Sequence, residues 1–493
     1  MKNRKLLALL LTLVLAIGLI PMTAFAAQRD VTASSTASIT INGAVGNDVL
    51  AAYKVVDIAY NSTTNTLAFA WNSDFAAYFA GTTSYNATAY TVKQFDALAD
   101  DSDALKNLLA GLPNYIVAKN IAAVQTKTVA ADGTATFAGL AMGEYFIRPT
   151  SSTNVYQLML QKVEPTVAGG KYVIDDVTFT AKHEEVNVDK TADKTSVTKG
   201  EKVNYTITVD IPTYATQAVD KSFSVADLLP DGLTIDTNSI KVKVDGADVA
   251  AAAYDLDTTA TDEYTFKLSV STAQYAANWS ANGGKQLVIT YTATFNNDTT
   301  TAVNVKETNT VTFDYSYYPY VAASHEQKTD TFAVTTFAIK IDKYVAGDTD
   351  TKLAGAKFDL YRTVYPGETG EQIPHTTVNG IKLEEGLITD ANGSVTFEKY
   401  EANGTNYVYY LVETQAPSGY NLLDNAVKVN FTDANVDANG VYTVEVPNSS
   451  GIKLPITGGT GTVIFTVIGI ALMAGAVVLL VISRKKSKTK ESK

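Results

Sequence analysis

Two lysines in this chain continue rows of apolar side chains, and a third stands just outside one. Along an extended strand, successive side chains point to opposite faces. Phe337, Ile339, Ile341 and Lys343 therefore share a face, while Lys340 and Asp342 take the other. Val186, Val188 and Lys190 form a similar row. A charged lysine on a dry face is costly, so such an amine is neutral, paired or consumed in a bond. Rows that could supply its partners lie further along. Tyr409, Leu411 and Glu413 share parity, as do Tyr442, Val444, Val446 and Asn448. Phe223, Val225 and Asp227 share a face, and Asn309 is in register with Val311 and Phe313, whereas Asn304 has the opposite parity. Lys194 matches Lys190 in parity but lies past the apolar row, so Lys190 is preferred. Two chemistries are open on these grounds. One is a buried Lys–carboxylate ion pair with an asparagine hydrogen-bonded beside it. The other is a neutral lysine acting as nucleophile.

The third lysine has the reverse parity. Val177, Phe179 and Ala181 face inward, which puts Lys182 with Thr178 and Thr180 on the outer face. That position suits an amine which an external enzyme must reach; Lys162 and Lys171 are alternatives nearby.

The elements that must hold these rows are short alternating runs rich in Val, Ile, Thr, Tyr and Phe, the pattern of antiparallel strands with one buried face. The fold class expected is mainly all-β, a tandem array of Ig-like β-sandwiches. Asn392-Gly393 and Asn439-Gly440 mark hairpin turns, each inside an Asp-Ala-Asn-Gly tetrad that lacks the further oxygen ligands of a calcium loop. Boundaries fall near residues 182 and 336. The first domain, 28–182, carries a helical insert from Val92 to Leu112, with Phe95, Leu98, Leu105, Leu108 and Leu109 at helical spacing. The second, 183–336, and the third, 337–450, read as sandwiches. Opening strands are expected around Ala51 to Asp57, Val186 to Lys190 and Phe337 to Lys343.

Composition narrows the function. With 493 residues the chain suits about three domains. A formal net charge of −12 argues against nucleic acid as a partner. There is no cysteine, so an exported protein of this sequence needs reinforcement other than disulfides. His183, His325 and His375 show no metal-ligand spacing, and no nucleophile–base pair or phosphate loop stands out. Neither a metal site nor a cofactor site is expected, and the chain does not read as an enzyme.

The segment from Tyr409 to Tyr420, with Leu411, Glu413, Thr414, Ala416, Pro417 and Gly419, resembles the E-box YxLxETxAPxGY of the B-type collagen-adhesin (Cna-B) repeat of Gram-positive pilins. Leu353-Ala354-Gly355-Ala356-Lys357-Phe358 matches a second hallmark of that module. The resemblance implies an isopeptide bond between Lys343 and Asn448, formed with loss of ammonia. The same resemblance implies Glu413 as the catalyst, protonated to polarise the Asn448 carbonyl and relay protons. The second domain resembles the fimbrial D2 isopeptide module, which implies a Lys190–Asn309 bond with Asp227 as the catalytic acid. The first domain departs from the pattern: Gly143-Glu144-Tyr145-Phe146-Ile147-Arg148 begins like an E-box strand, but Pro149 stands where the glutamate should be. No crosslink is expected there. The stretch from Val173 to Lys182 is similar to the pilin motif WxxxVxVYPK, with Val173 for tryptophan, Phe179 for the second valine and Thr180-Ala181 for Tyr-Pro. It implies Lys182 as the amine that receives the next subunit.

The two ends read as export and anchoring signals. Lys2, Arg4 and Lys5 precede an apolar run from Leu6 to Ile20 and a cleavage pattern at Ala24-Phe25-Ala26, so residues 1–26 form a signal peptide. Leu454-Pro455-Ile456-Thr457-Gly458 is followed by an apolar stretch, 462–482, of transmembrane-helix length and by a basic cytoplasmic tail, 483–493. The order resembles the LPxTG sorting signal of sortase substrates, in which the bond between Thr457 and Gly458 is cleaved and the threonine carbonyl passes to an amine. The function implied is the shaft subunit of a covalent pilus on a Gram-positive cell wall. Its partners would be pilin-specific and housekeeping sortases, further copies of itself, minor pilins and peptidoglycan. A monomeric wall-anchored adhesin, with a first domain that binds a host ligand or glycan, is the alternative.

Overall fold

The computed structural model describes residues 29–100, 102–296, 305–322, 324–364, 373–401, 407–430, 435–451 and 460–488. The expected signal peptide, sorting motif (Leu454, Pro455, Thr457 and Gly458) and extreme tail lie outside them. The chain divides into two compact units: residues 1–301 with 306–335, and residues 302–305 with 336–493.

The first unit opens with two larger sheets, beside a small one of Arg29–Asp30, Lys171–Ile174 and Thr166–Ala168. One runs in the order Thr66–Trp71, Val49–Asn61, Gly143–Ser151, Met159–Val163, and the other in the order Val177–Thr180, Thr36–Asn42, Ala135–Ala141. The strand expected around Ala51 to Asp57 is therefore not the first, because the alternation of Ala37, Ile39 and Ile41 already forms one upstream. The expected helical insert is broken rather than continuous. Val92–Asp96 starts on a Thr91–Gln94 capping box, and Asp103–Ala110 starts on the Ser102 side chain, which accepts from the Leu105 N–H. A serine behind two aspartates caps better than it propagates, so the helix restarts there. Ala76–Phe79 and Leu112–Ala118 extend the insert on both sides. The strand His183–Glu184 still pairs with Val155–Tyr156, so the chain passes residue 182 bonded to the first domain.

The rest of that unit is a sandwich of two five-stranded sheets. One is ordered Val188–Ala192, Lys202–Asp210, Gln286–Phe295, Leu233–Val244, Ala247–Asp248. The other is ordered Asp255–Asp257, Phe266–Val270, Phe223–Leu228, Lys306–Ser316, His325–Thr335. Strict alternation buries Val203, Tyr205, Ile207 and Val209 from one strand and Leu287, Ile289, Tyr291, Ala293 and Phe295 from its neighbour.

In the second unit, Phe337–Val345 pairs antiparallel with Ser394–Tyr400 and parallel with the last strand, Val441–Asn448. The facing sheet runs Ile381–Ile388, Lys357–Val364, Tyr407–Gln415, Val427–Val429. Ile339, Ile341, Phe358, Leu360, Phe397, Leu411 and Val446 form the core between them. The apolar stretch 462–482 lies in a helix, Thr460–Lys488. Among the described residues no helix is long and apolar enough to cross a membrane.

Candidate functional site

In the second unit the first and last strands lie side by side with Lys343 opposite Val446 and Val345 opposite Asn448. This register brings the Lys343 amine to the Asn448 side chain, where it donates to Oδ1 at 2.6 Å. Glu413 arrives from the facing sheet, its Oε1 3.1 Å from the amine, with both side chains wholly buried. Asn448 Nδ2 donates to Glu413 Oε1 at 3.0 Å and Oε2 at 3.2 Å, and to the Asn421 carbonyl at 3.0 Å. The Leu423 N–H donates to Glu413 Oε2 at 2.9 Å, which fixes the carboxyl from its other side. Burial pulls the Lys343 pKa down and the Glu413 charge opposes it. The amine thus faces the carbonyl end of a carboxamide, and the acid faces its nitrogen. Condensation needs that arrangement: attack on Cγ at one end and proton delivery to the leaving nitrogen at the other.

The sandwich of the first unit holds a second such group. Lys190 lies opposite Ile207, and its amine meets Asp227 Oδ2 in a pair with no exposed side-chain surface. Asp227 lies opposite Val311 on the strand that also carries Asn309. Lys190, Asp227 and Asn309 are all buried. Burial lowers the Lys190 pKa against the pull of Asp227, and burial raises the Asp227 pKa against the pull of Lys190. Among the described residues no direct hydrogen bond joins Lys190 to Asn309. Both meet instead on the hydroxyl of Tyr291, which sequence parity passed over as an ordinary inward aromatic. Tyr291 Oη accepts from Lys190 Nζ at 3.0 Å and from Asn309 Nδ2 at 2.6 Å, and donates to Asp227 Oδ1 at 2.9 Å. Its rows, Val203 to Val209 and Leu287 to Phe295, are apolar apart from Tyr205 and Tyr291 at matched register, and that was the available signal.

Lys182 is exposed and lies two residues past the end of the strand Val177–Thr180, with Phe179 and Ala181 buried and Val177 half-buried. The Gln157 N–H donates to its carbonyl at 3.1 Å, so the backbone there is held. Burial, together with the charge of Lys106, lowers its pKa. Lys171 is exposed and 3.7 Å from Asp30, whereas Lys162 is tied to Asp96 and lies 3.5 Å from Glu144. Glu144, named in the sequence only as the start of a strand motif, is buried, and burial pushes its pKa up to about 7. Lys162 thus meets two carboxylates and, among the described residues, no carboxamide. Pro149 stands opposite Leu50 within the sheet.

Comparison with known proteins bears on both units. Residues 337–448 match the prealbumin-like fold domain SpaA, and residues 446–489 match the LPXTG cell wall anchor motif. The chain carries a cell-wall anchor and is built like a Gram-positive backbone pilin. It is 27% identical over 345 residues to the fimbrial subunit type 1 of Actinomyces viscosus, covering 61% of this chain and 64% of that protein. It shares its fold with the T6 backbone pilin of Streptococcus pyogenes serotype M6, with a TM-score of 0.56 at 18% identity over 85% of this chain and 99% of that one. The full-length major pilin SpaD of Corynebacterium diphtheriae gives 0.51 at 17% identity, over 86% and 99%.

Proposed function

We propose that the chain is the repeating shaft subunit of a sortase-polymerised pilus, in which Lys182 of one subunit is joined to Thr457 of the next. Within each subunit, Lys190 and Asn309 condense with Asp227 as the acid, and Lys343 and Asn448 condense with Glu413 as the acid. Each reaction happens once and releases ammonia, so the subunit is a structural protein and not an enzyme with turnover. The partners that follow are a polymerising sortase, further copies of the chain, minor pilins and a housekeeping sortase that attaches the polymer to peptidoglycan.

The observation that carries this reading is the contrast among the amines. Lys190 and Lys343 are sealed against carboxyl groups inside sandwiches, while Lys182 is exposed on a backbone held in place. A dry amine serves an internal tie, and a reachable one serves an external acyl transfer. The test is a cell-wall extract boiled in detergent. The wild-type chain gives a ladder of high-molecular-weight species, and Lys182→Ala and Thr457→Ala each collapse it to monomer. A monomer band from the wild type, on cells that carry the sortases, refutes the polymer and leaves the adhesin.

A further inference from the structure

The two buried groups differ in one methylene. Glu413 reaches the Asn448 nitrogen directly, through two hydrogen bonds. Asp227 has a shorter arm, and its Oδ1 meets the Tyr291 hydroxyl, which in turn meets the Asn309 nitrogen. A phenolic hydroxyl has one proton to donate and two lone pairs to accept with. Tyr291 uses all three, giving its proton to Asp227 and accepting from Lys190 and from Asn309. The tyrosine therefore bridges the two reacting nitrogens and the acid, in a place where the other group has a longer acid and, among the described residues, no hydroxyl bonded to it.

We propose that Tyr291 is a catalytic residue of the Lys190–Asn309 condensation, relaying the proton between Asp227 and the leaving nitrogen. This rests on the isopeptide reading above and adds to it a second residue for one of the two sites. The Lys190 Nζ–Asn309 Cγ bond forms and the Cγ–Nδ2 bond breaks. One Nζ proton passes to Asp227 Oδ2. Once Cγ is tetrahedral, Nδ2 holds a lone pair, and the Tyr291–Asn309 contact reverses direction. Tyr291 Oη then gives its proton to Nδ2, and the Asp227 carboxyl turns about Cβ–Cγ so that the proton received on Oδ2 is returned to Tyr291 Oη. Ammonia leaves, and Asp227 and Tyr291 end in the protonation states in which they began. Burial keeps the Tyr291 hydroxyl protonated at all physiological pH, as a relay with no net charge requires.

The test follows crosslinking in time on the full chain after pulsed expression, by digestion and mass spectrometry of the Lys190–Asn309 peptide pair. The Lys343–Asn448 pair in the same molecules is the internal control for folding and sampling. Tyr291→Phe is expected to slow the first bond on the order of 10²-fold and leave the second unchanged. Adding Asp227→Glu to Tyr291→Phe lengthens the acid toward Asn309, as in the other group, and is expected to restore the rate at least tenfold. A hydroxyl with a merely structural role gives no such recovery. Tyr291→Phe crosslinking at the wild-type rate, or slowed without recovery in the double variant, overturns the proposal. A wild-type chain with no Lys190–Asn309 pair at all refutes the underlying isopeptide reading instead.

Discussion

Replacing Asn448 with Ala removes the carbon that Lys343 attacks in the proposed condensation and leaves Lys343 and Glu413 as a buried pair at 3.1 Å. The tie it abolishes spans 105 positions of chain. In the chain-entropy description, closing a loop of that length restricts the unfolded state by about 4.8 kcal/mol at 25 °C. The substitution also deletes the Asn448 hydrogen bonds to Glu413 and Asn421, so this figure is a lower bound. A domain of this size shifts by roughly 4 °C per kcal/mol, which predicts a fall of about 20 °C in its melting transition. Calorimetry on the full chain reads this directly, because residues 336–493 form a compact unit of their own, and the transition of the other unit should not move. Intact mass gives the second reading: the wild type is lighter than its linear sequence by about 17 Da for each amide formed with loss of ammonia, and N448A lacks one such deficit. A wild-type mass equal to the linear sequence refutes the reasoning, as does an N448A transition within roughly 3 °C of wild type.

Asp227→Ala should remove the other mass deficit, retain the Lys343–Asn448 one, and lower the melting point of the first unit, since it strands Lys190 in a site with no exposed side-chain surface. Protonated His325 donates through Nε2 to Asp220 at 3.1 Å and through Nδ1 to Asp314 at 2.5 Å, and these bonds hold its pKa up to about 9 from 6.5. A raised histidine pKa gives stability that is complete below about pH 6.5 and lost as pH rises through about 9. The melting gap between wild type and His325→Gln should accordingly be several degrees at pH 6 and near zero at pH 10, and a gap independent of pH contradicts this. Glu144 has a pH dependence of the same sign, but here the charged form is the one penalised by burial. A carboxyl raised from 4.5 to about 7 favours the folded state only while protonated, so Glu144→Gln should leave melting unchanged at pH 4 and raise it by a few degrees at pH 8.

Parity was enough to place Lys343, Glu413 and Asn448 on buried faces, because each ends an apolar row and a strand has only two faces, while the chemistry read there came from the resemblance. It worked for Lys190, Asp227 and Asn309 for the same reason. It failed for Tyr291, since an inward tyrosine is what a β core contains anyway, and only the pairing of two separate strands shows where its hydroxyl points. It was incomplete for Tyr407–Gln415: Tyr410 and Val412, on the face opposite Tyr409 and Leu411, are buried as well. The helical insert was legible in its apolar spacing and not in its breaks, which depend on capping by Thr91 and Ser102. The buried Glu144 was hidden because its partner, Lys162, stands opposite it on the neighbouring strand Met159–Val163, a pairing that the parity of a single strand does not show.

The parallel pairing of Phe337–Val345 with Val441–Asn448 has a consequence for a damaged filament. With the proposed amide closed, the covalent path from residue 337 to 448 runs through six peptide bonds to Lys343 and then across, so everything from 344 to 447 hangs on it as a side branch. A protease that clips the exposed strand Asp348–Lys352 would open that branch without severing the filament. Wear at the surface would then leave a subunit scarred and still continuous.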